Sequence, residues 1–169
     1  DRTVPVVAPE GFMEEATSEN IMVGTAMARR SLYQFGRDLP RNAKGNVDTG
    51  LGKDVAYGTI GIIVPTVLVT QPEQKMDIDG VGFVFYNAPG AECPAEMTFS
   101  IPAKRLYDGA ENLSQQMHNL LPVRGAKVRD ALRWSNYMDH ALEQVRDADV
   151  YIASHNWPVW GNASIKKLI

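Results

Sequence analysis

The dipeptide Asp79-Gly80 sits between two apolar runs, Lys75–Ile78 and Val81–Tyr86, and constrains the fold more than any other feature of the sequence. A two-residue Asp-Gly link between such runs is the signal of a tight β-hairpin. Further strand candidates surround it. Thr66–Thr70 precedes the hairpin, and 96-EMTFSIP-102 follows it. Residues 3-TVPVVAP-9 read as a short buried strand ended by proline, and 149-DVYIASHNWPVWG-161 as a buried strand running into a histidine-bearing loop. Helical stretches alternate with these. Phe12 to Phe35 is expected as one helix, with Glu14 and Glu15 in its first turn and Arg29 and Arg30 near its end, stopped by Gly36 and Pro40. Residues 113–121 are expected to be helical. A longer helix over 127–147 is expected to align Val128, Leu132, Ser135, Met138, Leu142 and Val145 on one face, and Ser164–Ile169 to close the chain. Residues 41–58, with Gly at 45, 50, 52 and 58, carry no sustained period and predict a long loop. The class is α/β.

A length of 169 residues fits one compact domain with its own core. The net charge of −3 argues against a nucleic-acid partner or an anionic membrane surface. A single cysteine, Cys93, excludes an internal disulfide and a cysteine-based zinc cage. The most apolar run, 59-TIGIIVPTVLVT-70, is too short and too broken by Gly and Pro to predict stable membrane insertion. The opening 1-DRTVPVVAPEGF-12 has no apolar leader, and it reads as the start of a fragment or a processed chain.

Chemistry concentrates after the hairpin, in 88-APGAECPAEM-97. Glu92 and Glu96 stand four residues apart among small residues, and Glu111 follows in 108-DGAEN-112. Isolated carboxylates beside Gly and Ala at strand ends suit turn caps, acid/base pairs or metal ligands. Of the three histidines, His140 reads as a solvated side chain on an amphipathic helix and His118 as a semi-buried one. His155, just past the apolar run Val150–Ala153, stands where α/β folds gather binding groups. Glu92, Glu111 and His155 thus share one placement beyond an apolar strand. Carboxylate oxygens and imidazole together suit zinc or manganese.

The run 88-APGAECPAEMTFSIPAKRLYDGAEN-112 resembles the metallo-β-lactamase superfamily, with Glu92 at the usual histidine position of the Pro-Gly-His turn and Glu111 at the usual aspartate position. That double replacement is similar to the alkylsulfatase branch. So are 7-VAPEGFMEEATSEN-20, 46-NVDTGLG-52, 122-PVRGAKVRDALRWSNYM-138 and 154-SHNWPVWGN-162. The resemblance implies part of an αββα sandwich with two zinc ions at one edge. It assigns Glu92 to the first zinc site and His155 to the second, with Glu111 bridging. The H-x-H-x-D-H motif that completes such a site does not occur in this sequence, and Asn156 replaces the second histidine of the family's His-His-Trp-Pro. The implied reaction is hydrolysis of alkyl sulfate esters to alcohol and sulfate. Phosphoesterase or lactonase chemistry on the same fold, or a catalytically inert chain, are the alternatives. Arg124 is the expected sulfate ligand, aided by Tyr57 and by backbone N–H groups around Gly50. Arg129 is expected on the solvent side of the following helix. Phe12, Trp157 and Trp160 are expected either to line an alkyl groove or to sit in the core. The resemblance also implies a homodimer at full length and a periplasmic or secreted location.

Overall fold

The computed structural model describes residues 4–48, 58–59, 61–117 and 120–169. Among the described residues, eight strands fall into two sheets. β1 (Val7–Pro9) and β2 (Val67–Val69) pair in parallel, Val7 opposite Val67. Six strands form the second sheet in chain order: β3 (Glu73–Ile78), β4 (Val81–Asn87), β5 (Met97–Ile101), β6 (Leu106–Asp108), β7 (Val150–Ile152) and β8 (Val159–Trp160). All neighbours are antiparallel except β6 and β7. A parallel pair needs a long crossover, and here it carries α3 (Ala131–Gln144).

The Asp79-Gly80 hairpin forms as expected. Both residues have positive φ, 54° and 76°, and the Gly80 N–H donates to Asp77 Oδ1 at 2.9 Å. This is the primed turn whose twist matches the flanking strands. It sets Ile78 opposite Val81, and alternation then sorts the side chains of the sheet onto two faces. On one face Phe83, Phe85 and Phe99 pack with ring centroids 5.6–5.8 Å apart. On the other, Tyr86, Tyr107 and Tyr151 follow one another at 6.2 Å. The tyrosine face is the core: Tyr107 and Tyr151 are buried with Leu113, Ala141, Val145, Ala148 and Ile165, under α3 and the closing helix α4 (Asn162–Leu168). On the phenylalanine face Phe85 is buried, while Phe99 borders an open cleft of about 780 Å³. Phe99, Met97 and Ile152 line one wall, and Val7, Pro9 and Phe12 the other.

Three helical expectations need correction. The stretch from Phe12 to Phe35 is not one helix but α1 (Phe12–Thr17), a π-turn at Ser18–Met22, and α2 (Gly24–Phe35). Gly24, a poor helix former, sits at the break, and Gly36 at φ 60° ends α2. Residues 113–117, 120 and 121 form turns and bends rather than a helix. There the Tyr151 hydroxyl donates to the Leu113 carbonyl, and Gln115 bonds to Asn156 and to the Trp157 carbonyl. These tertiary bonds take the place of a helical ladder.

The third correction concerns α3. It starts at Ala131, capped by Asp130, whose Oδ1 accepts from the Arg133 N–H at 2.9 Å. Its inward stripe is Trp134, Tyr137, Met138 and Ala141, while Leu132 and Leu142 are exposed. The Trp134 indole donates to the buried Asn112 carbonyl at 2.7 Å and the Tyr137 hydroxyl to the Pro89 carbonyl at 3.2 Å. Aromatic side chains that also satisfy loop carbonyls hold the sheet side, and the leucines are turned to solvent. Val128, outside the helix, is exposed as well.

Candidate metal centre

β4 and β6 both run antiparallel to β5, and β7 runs parallel to β6. The three therefore point the same way. The loops leaving their C-terminal ends, 88–96, 109–112 and 153–156, emerge along one edge of the sheet. That topology is what brings distant carboxylates and a histidine together.

The first loop is closed by two backbone bonds, Ala88 N–H to Glu96 O at 2.8 Å and Gly90 N–H to Pro94 O at 2.9 Å. Gly90 adopts φ 70°, and a Cβ there would stand 2.9 Å from Arg133 Nη1, so the turn requires glycine. Within it, donor atoms of Glu92, Cys93 and Glu96 all lie within 4.8 Å of one another. Glu92 is 4% exposed. The Cys93 thiol donates to the Ala95 carbonyl at 3.0 Å and toward Glu96 Oε2 at 3.5 Å. Burial, reinforced by the charges of Glu96 and Glu92, pushes that thiol far up, so it stays protonated.

The second loop turns at Gly109 and Ala110. A Cβ on Gly109 would meet the Tyr151 hydroxyl at 2.3 Å. Ala110 is held at φ 49°, its N–H bonded to Asp108 Oδ1 at 2.7 Å and its carbonyl accepting from the Ser154 N–H at 2.9 Å. The third loop places His155 at φ 72°, another left-handed residue that is not glycine. Such conformations cost about 1–3 kcal/mol each and persist only where the surroundings impose them. The two Gln115 bonds to Asn156 and Trp157, 3.0 and 2.9 Å, supply that constraint. Asn156 thus works as a strut for the loop. Together the second and third loops bring His155 Nε2 into direct contact with Glu111 Oε1.

The two groups of acids also feel each other. Burial first, then the charge of Glu92, with a further contribution from Glu111, raises the Glu96 carboxyl to about 8. Burial likewise raises Asp108, which lines the cleft with Glu96. Carboxylates packed this closely repel one another unless a proton or a cation relieves them, and Arg129 beside Glu92 supplies part of that relief. The donor set fits such a cation: carboxylate oxygens and one imidazole are ordinary zinc ligands. The residues that could hold it fall in two groups: Glu111 with His155, in contact, and Glu92 with Cys93 and Glu96 in the neighbouring turn.

Two members of the site were not singled out from the sequence. Glu96 was visible as the second acid of the Glu92 turn, and its burial at the cleft was the missing fact. Arg129 is the larger correction. It was expected on the solvent side of a helix, but it precedes α3, its side chain is 5% exposed, and Nη2 lies 3.8 Å from Glu92 Oε1. Arg124 sits half-buried in the 122–125 turn, with its N–H donating to Gln34 Oε1 at 3.1 Å. That turn packs on the α1–α2 arm, where Lys127 pairs with Glu15 at 2.7 Å. Tyr57, Gly50 and His118 lie outside the described residues. His140 lines a different, smaller cavity with Tyr137 and Gln144. Phe12 lines the main cleft, whereas Trp157 and Trp160 are exposed, which excludes them from the core.

No family model matches the chain. Individual relatives do. The alkyl/aryl-sulfatase of Saccharomyces cerevisiae is 45% identical over 167 residues, which is 98% of this chain and 26% of that protein. An (R)-specific secondary-alkylsulfatase from a Pseudomonas species is 46% identical over 165 residues, 96% of this chain and 25% of its own length. The solved structure of a stereoselective inverting sec-alkylsulfatase from a Pseudomonas species superimposes with a TM-score of 0.92 at 45% identity, over 98% of this chain and 26% of that one. The chain is an alkylsulfatase homologue. It spans about a quarter of the length of the relatives it matches. Its mixed α/β fold is accordingly the one that this part of the alkylsulfatase structure adopts. Among the described residues no helix is long and apolar enough to cross a membrane.

Proposed function

We propose that this chain forms part of a binuclear zinc site that hydrolyses alkyl sulfate esters to alcohol and inorganic sulfate, with Glu92, Glu111 and His155 as its contribution to the ligands. The observation that carries this reading is the direct contact of Glu111 with His155 beside the buried Glu92–Glu96 turn, in a chain about 45% identical to alkylsulfatases. Zinc, when bound, supplies Lewis acidity toward the sulfate oxygens. The chain's own residues do the rest. Glu111 and His155 fix one end of the site, and Glu92 the other. Glu92 in place of a neutral histidine adds a negative charge, which weakens the hold on the sulfate product. Arg124 presents a guanidinium fork to two sulfate oxygens. The apolar walls of the cleft, from Phe12, Phe99 and Ile152, take the alkyl chain and keep water from it. A homodimer at full length is the assembly this reading carries with it.

The test is turnover of dodecyl sulfate by the full-length protein, against a phosphodiester and a lactone of matched chain length. Sulfatase activity that a chelator abolishes and zinc restores is the expected result. Oxygen-18 water then reports whether the C–O or the S–O bond breaks, according to whether label enters alcohol or sulfate. Turnover of the phosphodiester or lactone in preference to the sulfate ester contradicts the substrate assignment. Undiminished sulfatase activity in Glu111→Gln contradicts the site.

A further inference from the structure

The turn that carries Glu92 is anchored from outside by a buried cation. Arg129 belongs to the segment 126–130, which runs without regular structure to the Asp130 cap of α3, and its own N–H donates to the Leu120 carbonyl at 2.8 Å. Its guanidinium turns inward. Nε donates to the Glu92 carbonyl, Nη1 to the Lys127 carbonyl at 2.5 Å, and Nη2 stands 3.8 Å from Glu92 Oε1. One side chain therefore holds the backbone of Glu92 and faces its carboxylate. Only the planar fork of an arginine reaches both at once. The carboxylate separation is an ion-pair distance rather than a hydrogen bond, so the guanidinium orients that group without a hydrogen bond to it. Residues 91–95 are bends with no strand partner, and within the loop two backbone bonds close the turn. Arg129 is the anchor that reaches Glu92 from outside this loop, at both its carbonyl and its carboxylate.

We propose that Arg129 is a positioning residue for the metal centre, holding Glu92 by its backbone carbonyl and steering its carboxylate toward the zinc. The inference rests on Glu92 being a zinc ligand. Its charge also offsets one of the clustered acids, but the fork geometry, not the charge alone, sets the aim of Glu92. A lysine keeps the charge and loses the fork.

The experiment is zinc affinity of the full-length protein, read by competition with a chromogenic chelator, in wild type, Glu92→Gln, Arg129→Lys, Arg129→Met and the Arg129→Met/Glu92→Gln double variant. Residues that orient a metal ligand typically matter about 10- to 100-fold in affinity. Both Arg129 variants are expected to lose zinc affinity in that range, and the double variant to bind no worse than Glu92→Gln alone. Wild-type affinity in Arg129→Lys overturns the fork. Wild-type affinity in both Arg129 variants, with Glu92→Gln weakened, overturns the proposal and leaves the ligand assignment standing. An unchanged Glu92→Gln overturns both. If Arg129→Met does not fold, Arg129→Lys, which keeps the charge, carries the comparison with Glu92→Gln.

Discussion

Glu96 holds a carboxyl raised to about 8 from an ordinary 4.5, because burial and then the Glu92 charge oppose its ionisation. A carboxyl whose folded value lies above its unfolded value binds more protons in the native state between the two. Metal-free protein should therefore lose stability as pH rises from about 4.5 to about 8, by an amount on the order of a few kcal/mol. Denaturant unfolding in the presence of a chelator, across that range, measures it. Glu96→Gln should flatten the dependence, and a wild-type curve rising through the range would contradict the electrostatics described for this corner. Arg124 offers a second test at this scale. In the full-length enzyme Arg124→Ala should reduce kcat/KM for sulfate esters by roughly tenfold to a few hundredfold, the loss of a charge-assisted contact worth about 1.5–3 kcal/mol. Arg124→Lys should recover part of it. Unchanged kinetics in Arg124→Ala would move the sulfate pocket elsewhere. The meeting of Glu111 and His155 could be anticipated because each follows an apolar strand. Arg129 could not. Its burial depends on the chain passing 126–130 beneath the Glu92 turn, and nothing local in Lys-Val-Arg-Asp distinguishes that path from a helix.

The elements differ in how plainly their residues announce them. The β3–β4 hairpin was legible because Asp79-Gly80 permits few other turns and the flanking side chains alternate. β5 was legible for the same alternation. α3 was legible as a helix but not in its orientation. Its leucines satisfy a helical period, yet Trp134 and Tyr137 have carbonyls of Asn112 and Pro89 to reach, and a period count contains no such partners. Substitutions separate the two faces. Trp134→Ala should cost about 3–5 kcal/mol, as large-to-small core changes do. Leu132→Ala, at a position 73% exposed, should fall within about 0.5 kcal/mol of wild type. Asp130→Ala removes the cap and should cost about 1 kcal/mol. Chemical denaturation of the three variants settles the orientation, and a larger loss at Leu132 than at Trp134 would restore the stripe expected from the sequence.

For the whole molecule, strand direction matters more than any single contact. β4, β6 and β7 run the same way, so three loops, the last reached only after the α3 crossover, open at one edge, beside a cleft bordered by Phe99 and by β1. The tyrosine face is consumed by the core, which leaves the other face and this edge for chemistry. The most direct test is anomalous X-ray scattering at the zinc edge from crystals of the zinc-loaded full-length protein. The account predicts a peak at about 2 Å, ordinary zinc-ligand distance, from both a Glu111 carboxylate oxygen and a ring nitrogen of His155, with a second peak bonded to Glu92 and about 3.5–4 Å from the first. Peaks elsewhere, or none at this edge while Glu111 and His155 remain in contact, would contradict it.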